Sequence, residues 1–366
     1  MSFSLPILTH AQHPVGGPRL PTPAHAPHTH RRMIDSHGRT IRELRLSITD
    51  RCNFRCTYCM EPDVRFMPAS ESLSVDELIR AARLCVSLGV KKVRITGGEP
   101  TLHPRLPAII QGLAALEIND LAMTTNGSLA TPPALAAWKA AGLRRITFSI
   151  DSLRPETFAA ITRSATSPDQ VVQAIAAAQR AGFEHVKVNA VVVRGVNEEA
   201  VGPLTLLARD MGFEMRFIEF MPLDSARAWD TASLVPASEI ASLVHAAAPV
   251  KPIGRRDESG TAEIYEFQSS ARSGGAAPSG SVGIIAPVTR SFCGACSRLR
   301  ITADGKIRPC LFSTDEYDLR GPMRRGAPDD ELAQTLIDAT FTKQAGHGIT
   351  SAGFTQPARP MSAIGG

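Results

Sequence analysis

Three cysteines, Cys52, Cys56 and Cys59, stand in the run Cys52-Asn53-Phe54-Arg55-Cys56-Thr57-Tyr58-Cys59, directly after a predicted strand. Three thiolates spaced this closely in a loop can hold three irons of a 4Fe-4S cluster and leave the fourth iron open to a small molecule. The competing readings are a zinc loop or a disulfide. Structural zinc asks for four closed ligands, usually in Cys-x(2-4)-Cys pairs, and neither this spacing nor a nearby histidine supplies the fourth. A second triplet, Cys293, Cys296 and Cys310, lies far downstream. Between Cys296 and Cys310, Leu299 and Ile301, the turn Ala303-Asp304-Gly305 and then Ile307 predict a hairpin that carries Cys310 back to the pair. Again there is no obvious fourth ligand. An electron-relay cluster is usually fully ligated, so a second open iron points to substrate binding. The seventh cysteine, Cys85, falls in a predicted helix over 74–88 and reads as a small buried apolar residue.

The elements that must position these thiols follow a regular pattern. From residue 43 onward apolar strands alternate with helical periodicity, which predicts βα units and a parallel sheet. Strands are expected at 43–49, 92–96, 120–124, 145–150, 186–193 and 214–221. Helices are expected from the capping box Ser74-x-x-Glu77 and over 104–116, 133–141, 169–181 and 198–211. Six such units make an incomplete (β/α)6 TIM-type barrel, in which chemistry collects at the C-terminal ends of the strands. The polar motifs fall there. The cysteine loop follows the first strand, Gly97-Gly98-Glu99-Pro100 the second and Thr125-Asn126-Gly127 the third; Ser149 and Asp151 close the fourth, and Met221-Pro222 follows the sixth.

Strand parity adds an independent argument. In Leu44-Arg45-Leu46-Ser47-Ile48-Thr49 the apolar residues point toward the outer helices, and Arg45, Ser47 and Thr49 point into the lumen. Arg94 and Thr96 oppose Val93 and Ile95, and Lys187 and Asn189 share one face. A closed barrel is filled by branched aliphatics, so a lumen of Arg, Lys, Ser, Thr and Asn must hold water or a polar ligand. Three converging cations suggest an anion, unless Lys187 pairs with a carboxylate.

With 366 residues, 43% hydrophobic and 20% charged, the chain can bury a large core. A net charge of +5 permits a polyanionic substrate without implying nucleic acid. No apolar run approaches the roughly 20 residues of a membrane span, and six of seven cysteines in two triplets look like metal ligands in a reducing compartment, which puts the cytoplasm first. Residues 1–38 hold six of the ten histidines among many prolines and read as a disordered leader. A partial barrel over 39–250 and a C-terminal α+β domain over 251–366, carrying the second triplet, complete the expected organisation. The Ser/Gly/Ala/Pro-rich stretch 269–281 reads as a flexible surface loop.

The first triplet resembles the cluster motif of the radical S-adenosylmethionine superfamily. Together with Gly97-Gly98-Glu99-Pro100, Ser297-Arg298-Leu299-Arg300 and the closing Met361-Ser362-Ala363-Ile364-Gly365-Gly366, it is similar to the GTP 3',8-cyclase family of molybdenum cofactor biosynthesis, over roughly 40–366. That resemblance implies two 4Fe-4S clusters, on Cys52, Cys56 and Cys59 and on Cys293, Cys296 and Cys310, at the two ends of a tunnel. It also implies S-adenosylmethionine contacts at Tyr58, Gly98, Ser149 and Met221, with Gly98 letting the backbone approach the methionyl amine. GTP contacts would fall on Arg45, Arg94, Thr125, Lys187, Arg298 and Arg300, whose cations match phosphate oxygens. Arg298 or Arg300, near the closing base, would assist the reductive step, and the Gly365-Gly366 tail would enter the tunnel, where only Gly is thin enough to thread beside ligands. The implied reaction is removal of the ribose 3'-hydrogen by a 5'-deoxyadenosyl radical, attack of C3' on guanine C8, then reduction and protonation. Its implied partners are a reducing electron donor and a downstream cyclic pyranopterin monophosphate synthase, with a possible homodimer and neither nucleic acid nor membrane. A radical enzyme acting on a peptide would share the first triplet, but would need neither Arg298 and Arg300 nor the Gly-Gly tail.

Overall fold

Apolar and polar residues alternate along the strands, and the result is a sheet with an apolar outer face and a polar inner one. The computed structural model describes residues 31–224, 226–268, 280–351 and 353–365; residues 1–30 of the expected leader, 269–279 of the expected surface loop and Gly366 lie outside the described residues. Strands β1 (Glu43–Ser47), β2 (Lys92–Thr96), β3 (Asp120–Thr125), β4 (Arg145–Ser149), β5 (Lys187–Val192) and β6 (Glu214–Glu219) pair in that order, all parallel. The second strand matches its expected limits. The first stops short at Ser47, because the carbonyls of Thr49 and Arg51 receive the N–H groups of Gly98 and Glu99 rather than continuing the ladder. The sixth ends at Glu219, whose buried carboxylate accepts from the N–H groups of Ala237, Val288 and Thr289.

Helices α1 (Val75–Ser87), α2 (Leu106–Ala114), α3 (Pro132–Ala140), α4 (Pro155–Thr162), α5 (Pro168–Arg180) and α6 (Val201–Met211) cover the outer face. The Ser74 and Glu77 capping box opens α1, which buries Leu78, Ala81, Ala82 and Cys85 against Leu44 and Leu46 of the core. Burial pushes the Cys85 thiol up to about 12, as expected of a packing residue. Where one helix was expected over 198–211, a 3-10 turn at Glu198–Ala200 precedes α6. That start puts Pro203 in the first helical turn, where its missing N–H leaves no bond unmade.

The C-terminal segment supplies α7 (Ala237–Ala247), β7 (Val250–Gly254), β8 (Ala262–Phe267), β9 (Ser281–Ile285), β10 (Arg298–Ile301), β11 (Lys306–Arg308), β12 (Tyr317–Asp318), α8 (Arg320–Arg324), α9 (Asp329–Phe341) and α10 (Met361–Ile364). Ser281, expected in the surface loop, opens β9. The incomplete barrel gains a parallel strand at each edge, β10 beside β1 and β9 beside β6, and the full order is β12-β11-β10-β1-β2-β3-β4-β5-β6-β9-β8-β7. The predicted hairpin is present, with Arg300 opposite Arg308 and Ile301 opposite Ile307. At the other end of the chain, residues 31–38 are built into the fold rather than disordered. Met33 is fully buried, Ile34 bridges to Thr40, and Asp35 holds Arg39 at 2.6 Å. Among the described residues no helix is long and apolar enough to cross a membrane.

Candidate active site

The loop after β1 holds the first triplet in place through two docked glycines. A Cβ on Gly97 would collide with the Thr49 carbonyl and one on Gly98 with the carbonyls of Arg51 and Asp50, so glycine permits the close approach in which Gly98 and Glu99 donate to Thr49 and Arg51 at 2.8 and 2.7 Å. Gly98 thus has a structural reason within the chain, separate from any contact with a cofactor. Glu99, named from the sequence only as part of the Gly97-Gly98-Glu99-Pro100 motif, is buried and gathers the ends of two strands. Its carboxylate accepts from the Thr101 N–H and hydroxyl, from the Thr125 hydroxyl at 2.7 Å and from the Asn126 N–H at 2.6 Å. The Thr125 hydroxyl is therefore turned to Glu99, while its neighbour Thr124 faces the lumen and accepts from Arg94 at 3.2 Å.

Cys52, Cys56 and Cys59 are half-buried and mutually close enough to raise one another's pKa. Burial pushes Cys52 up to about 11 and Cys59 to about 12. As free thiols these stay protonated, and a bound cation would have to displace the proton. A backbone N–H already points at one of the sulfurs, from Phe54 to Cys52 at 3.4 Å. Such a donor favours sulfur that carries negative charge, so the donor set fits a thiolate-held cluster. Among the described residues no three such side chains close on a point as ligands of a single ion would. Tyr58 donates to Asp151 at 2.7 Å, and the other Asp151 oxygen accepts from the Val191 N–H at 2.9 Å. Burial pushes Asp151 up to about 6. Ser149 closes β4, in register with Asn189, and Met221 lies half-buried against Leu223, Phe312 and Ile364.

The second triplet is arranged differently. Cys293 opens a 3-10 turn, Cys296 leads into β10, and Cys310 follows β11. Arg298 stacks on Phe292 and donates to the Cys296 sulfur at 3.4 and 3.3 Å. Burial pushes Cys296 up, but Arg298 and Lys343 outweigh it and hold the thiol at about 6, a thiolate near neutrality. Arg39 donates to the Cys293 carbonyl at 2.7 Å, so the segment before β1 secures this loop.

Between the triplets lies the polar lumen that parity predicted. Register places Arg300, Arg45 and Arg94 side by side across β10, β1 and β2, and Arg298, Glu43 and Lys92 in an adjacent row. Lys187 and Arg216 face Glu214 at 3.3 and 2.5 Å, and Arg145 pairs with Asp120. Lys187 does pair with a carboxylate, yet cations still outnumber the acids. Burial, with Arg216 beside it, brings Lys187 down to about 8. Burial and the neighbouring Arg45 and Arg298 push Arg300 down strongly. A guanidinium keeps its proton, so such crowding is relieved by an anion. Arg145, Arg216, Glu43 and Glu214 were not singled out from the sequence; Glu43 shares the parity of Arg45 and was legible by the same alternation.

The tail reaches this lumen. Arg359 pairs with Asp304 and Glu316, both at 2.8 Å; Met361 donates to the Cys59 carbonyl at 3.2 Å, and Ile364 is fully buried. Gly365, at φ +70°, abuts the hydroxyls of Ser47 and Thr96, and its carbonyl accepts from Arg300.

Residues 46–207 match the radical SAM superfamily and residues 213–349 match the family described as Molybdenum Cofactor Synthesis C. The chain is 43% identical to the GTP 3',8-cyclase of Streptomyces coelicolor over 91% of this chain and 96% of that one. It is 44% identical to the GTP 3',8-cyclase of Rhodopirellula baltica over 91% and 92%. Among solved structures it is similar to Streptococcus suis SuiB bound to S-adenosylmethionine, with TM-score 0.58 and 14% identity over 86% of this chain and 69% of that one. At that identity the likeness speaks for the fold.

Proposed function

The chain belongs to the radical S-adenosylmethionine superfamily and, within it, to the GTP 3',8-cyclases, and from that premise we propose that its lumen holds GTP between two iron-sulfur clusters, one on each cysteine triplet. It is a cyclase of the first step of molybdenum cofactor biosynthesis, converting GTP to (8S)-3',8-cyclo-7,8-dihydroguanosine 5'-triphosphate. The observation that carries the site assignment is the register row Arg300, Arg45 and Arg94, a like-charged floor running from the second triplet toward Lys187. Like charges side by side on neighbouring strands destabilise a sheet unless an anion offsets them. Glu43 offsets part of this charge at Arg45 and Arg94, and a nucleoside triphosphate would offset the rest.

Cys52, Cys56 and Cys59 would hold the cluster that binds S-adenosylmethionine, and Cys293, Cys296 and Cys310 the second. When bound, the first cluster and S-adenosylmethionine would supply the radical chemistry that acts at the ribose 3' position. This chain's residues then do the positioning, on which selection of one C–H bond depends. Arg45, Arg94 and Lys187 hold phosphate oxygens, and Arg298 and Arg300 orient the nucleotide where the ring closes. Tyr58, Gly98, Ser149 and Met221 line the S-adenosylmethionine side, and Thr125, whose hydroxyl donates to Glu99, stays among the GTP contacts. Gly365 brings the tail against Ser47, Thr96 and Arg300 of the lumen. The limits 39–250 and 251–366 remain our division of the chain, and of the leader expected over 1–38 the last residues, 31–38, join the fold. A reducing donor, the downstream cyclic pyranopterin monophosphate synthase and a cytoplasmic setting complete the reading.

Iron counting tests the two-cluster assignment without activity. Replacing Cys293, Cys296 and Cys310 by Ala should remove about half the iron of the anaerobically reconstituted protein and leave the S-adenosylmethionine-dependent spectral change. Unchanged iron would overturn it.

A further inference from the structure

Two glutamates begin strands β1 and β6 and stand inside a lumen that otherwise gathers cations. Glu43 lies 3.6 Å from Arg45 and 3.9 Å from Arg94, with Arg298 and Lys92 as its register partners on either side. Glu214 lies 3.3 Å from Lys187, 2.5 Å from Arg216 and 3.1 Å from Arg256. The arrangement repeats. Each carboxylate pairs with two lumen cations of the barrel strands; Glu43 also has Arg298 and Lys92 as register partners, and Glu214 also pairs with Arg256 of the C-terminal segment. For Arg45, Arg94 and Arg216 the contact is through Nε, on the stem side of the fork. Arg94 keeps Nη1 on the Thr124 and Thr147 hydroxyls, and the Nη nitrogens not so used are the groups a phosphate would meet. Burial alone would push both acids up, but the cations around them outweigh it and hold each at about 2, so both are charged at any working pH. Asp120 differs: Arg145 takes both of its oxygens, and this pair neutralises itself.

A site built only to hold a polyanion would exclude carboxylates, since each opposes the incoming phosphates. We propose that Glu43 and Glu214 are positioning residues that give up affinity for phosphate in order to fix the arginine forks and cap the lumen's positive charge. This rests on the reading of the lumen as the GTP site. Without either charge the lumen would hold polyanions more tightly and less selectively, and the forks would be free to follow whichever phosphate entered.

The experiment compares E43Q, E214Q and E43D with the parent, all as anaerobically reconstituted holoenzyme. Inorganic tripolyphosphate binding is measured by calorimetry, and cyclised nucleotide is measured against GTP concentration. E43Q and E214Q are each expected to bind tripolyphosphate about tenfold more tightly, the order expected for removing one charge from a screened anion site. The same variants should lower KM for GTP and lower kcat, a split that a purely scaffolding role would not give. E43D, which keeps the charge, should return tripolyphosphate affinity and KM to the parent values even if its packing is imperfect. Unchanged or weakened tripolyphosphate binding in E43Q and E214Q would overturn the proposal. If the parent bound tripolyphosphate but made no cyclised nucleotide, the GTP reading would fail while the calorimetry still judged the glutamates.

Discussion

Replacing Gly365 by Ala perturbs the tail at the point where it meets the lumen. Gly365 is left-handed at φ +70°, and a Cβ there would fall on the Ser47 and Thr96 hydroxyls, which are themselves buried and 3.4 Å apart. The left-handed backbone costs an alanine about 1 kcal/mol, and forcing a methyl into a filled site costs about 1–3 kcal/mol. The sum, about 2–4 kcal/mol, shifts the balance between docked and undocked tail by roughly thirtyfold to several hundredfold. Arg359 and the buried Ile364 oppose release, but the Gly365 carbonyl would lose its place against Arg300. The variant should therefore keep its iron content and its unfolding midpoint, because the core does not depend on this residue. What should fall is the ratio of cyclised nucleotide to 5'-deoxyadenosine, measured together under anaerobic conditions. A parent-like ratio in G365A would refute the assignment of the tail to the reacting site.

Three further outcomes follow from particular contacts. Glu99→Gln places an amide N–H against the Asn126 N–H and should cost about 1–3 kcal/mol, read as a lower denaturant midpoint with unchanged slope. For Lys187, whose pKa is lowered to about 8, the protonated form holds phosphate, so KM for GTP should rise as pH climbs past about 8 and the K187M variant should lack that limb. The stability sign is opposite: between about 8 and the ordinary 10.5 the unfolded chain binds the extra proton, so this residue's contribution to stability grows with pH across that window. Arg359→Gln should open the clip to Asp304 and Glu316 and speed hydrogen exchange in 353–365, and pairing R359D with D304R should restore protection.

Much of this architecture could be read from local pattern. Lys92–Thr96 and the lumen parity of Arg45, Arg94 and Lys187 follow from alternation along single strands, and the Ala303-Asp304-Gly305 turn announces its hairpin. What escaped was nonlocal. That β9 and β10 extend the barrel at both edges depends on pairings between strands far apart in sequence, which no local periodicity encodes. The short α4, at eight residues, carries too few turns to announce itself by period. Glu43 shares the parity of Arg45, but Glu214 opens its strand, where a charged residue reads as a solvated end, and only the assembled lumen shows which cations surround each. Gly98 was read for a ligand, yet its first demand comes from the carbonyls of Asp50 and Arg51. Met33 and Arg39 lie at the edge of a histidine- and proline-rich stretch, whose composition masked the buried anchor for the second triplet.

The most direct test of the central claim is an anaerobic assay of the iron-sulfur-reconstituted protein with S-adenosylmethionine, GTP and dithionite, quantifying 5'-deoxyadenosine and cyclised nucleotide together. Formation of both, dependent on GTP, is the predicted result. Deoxyadenosine released equally with and without GTP, and no cyclised nucleotide, would contradict the account.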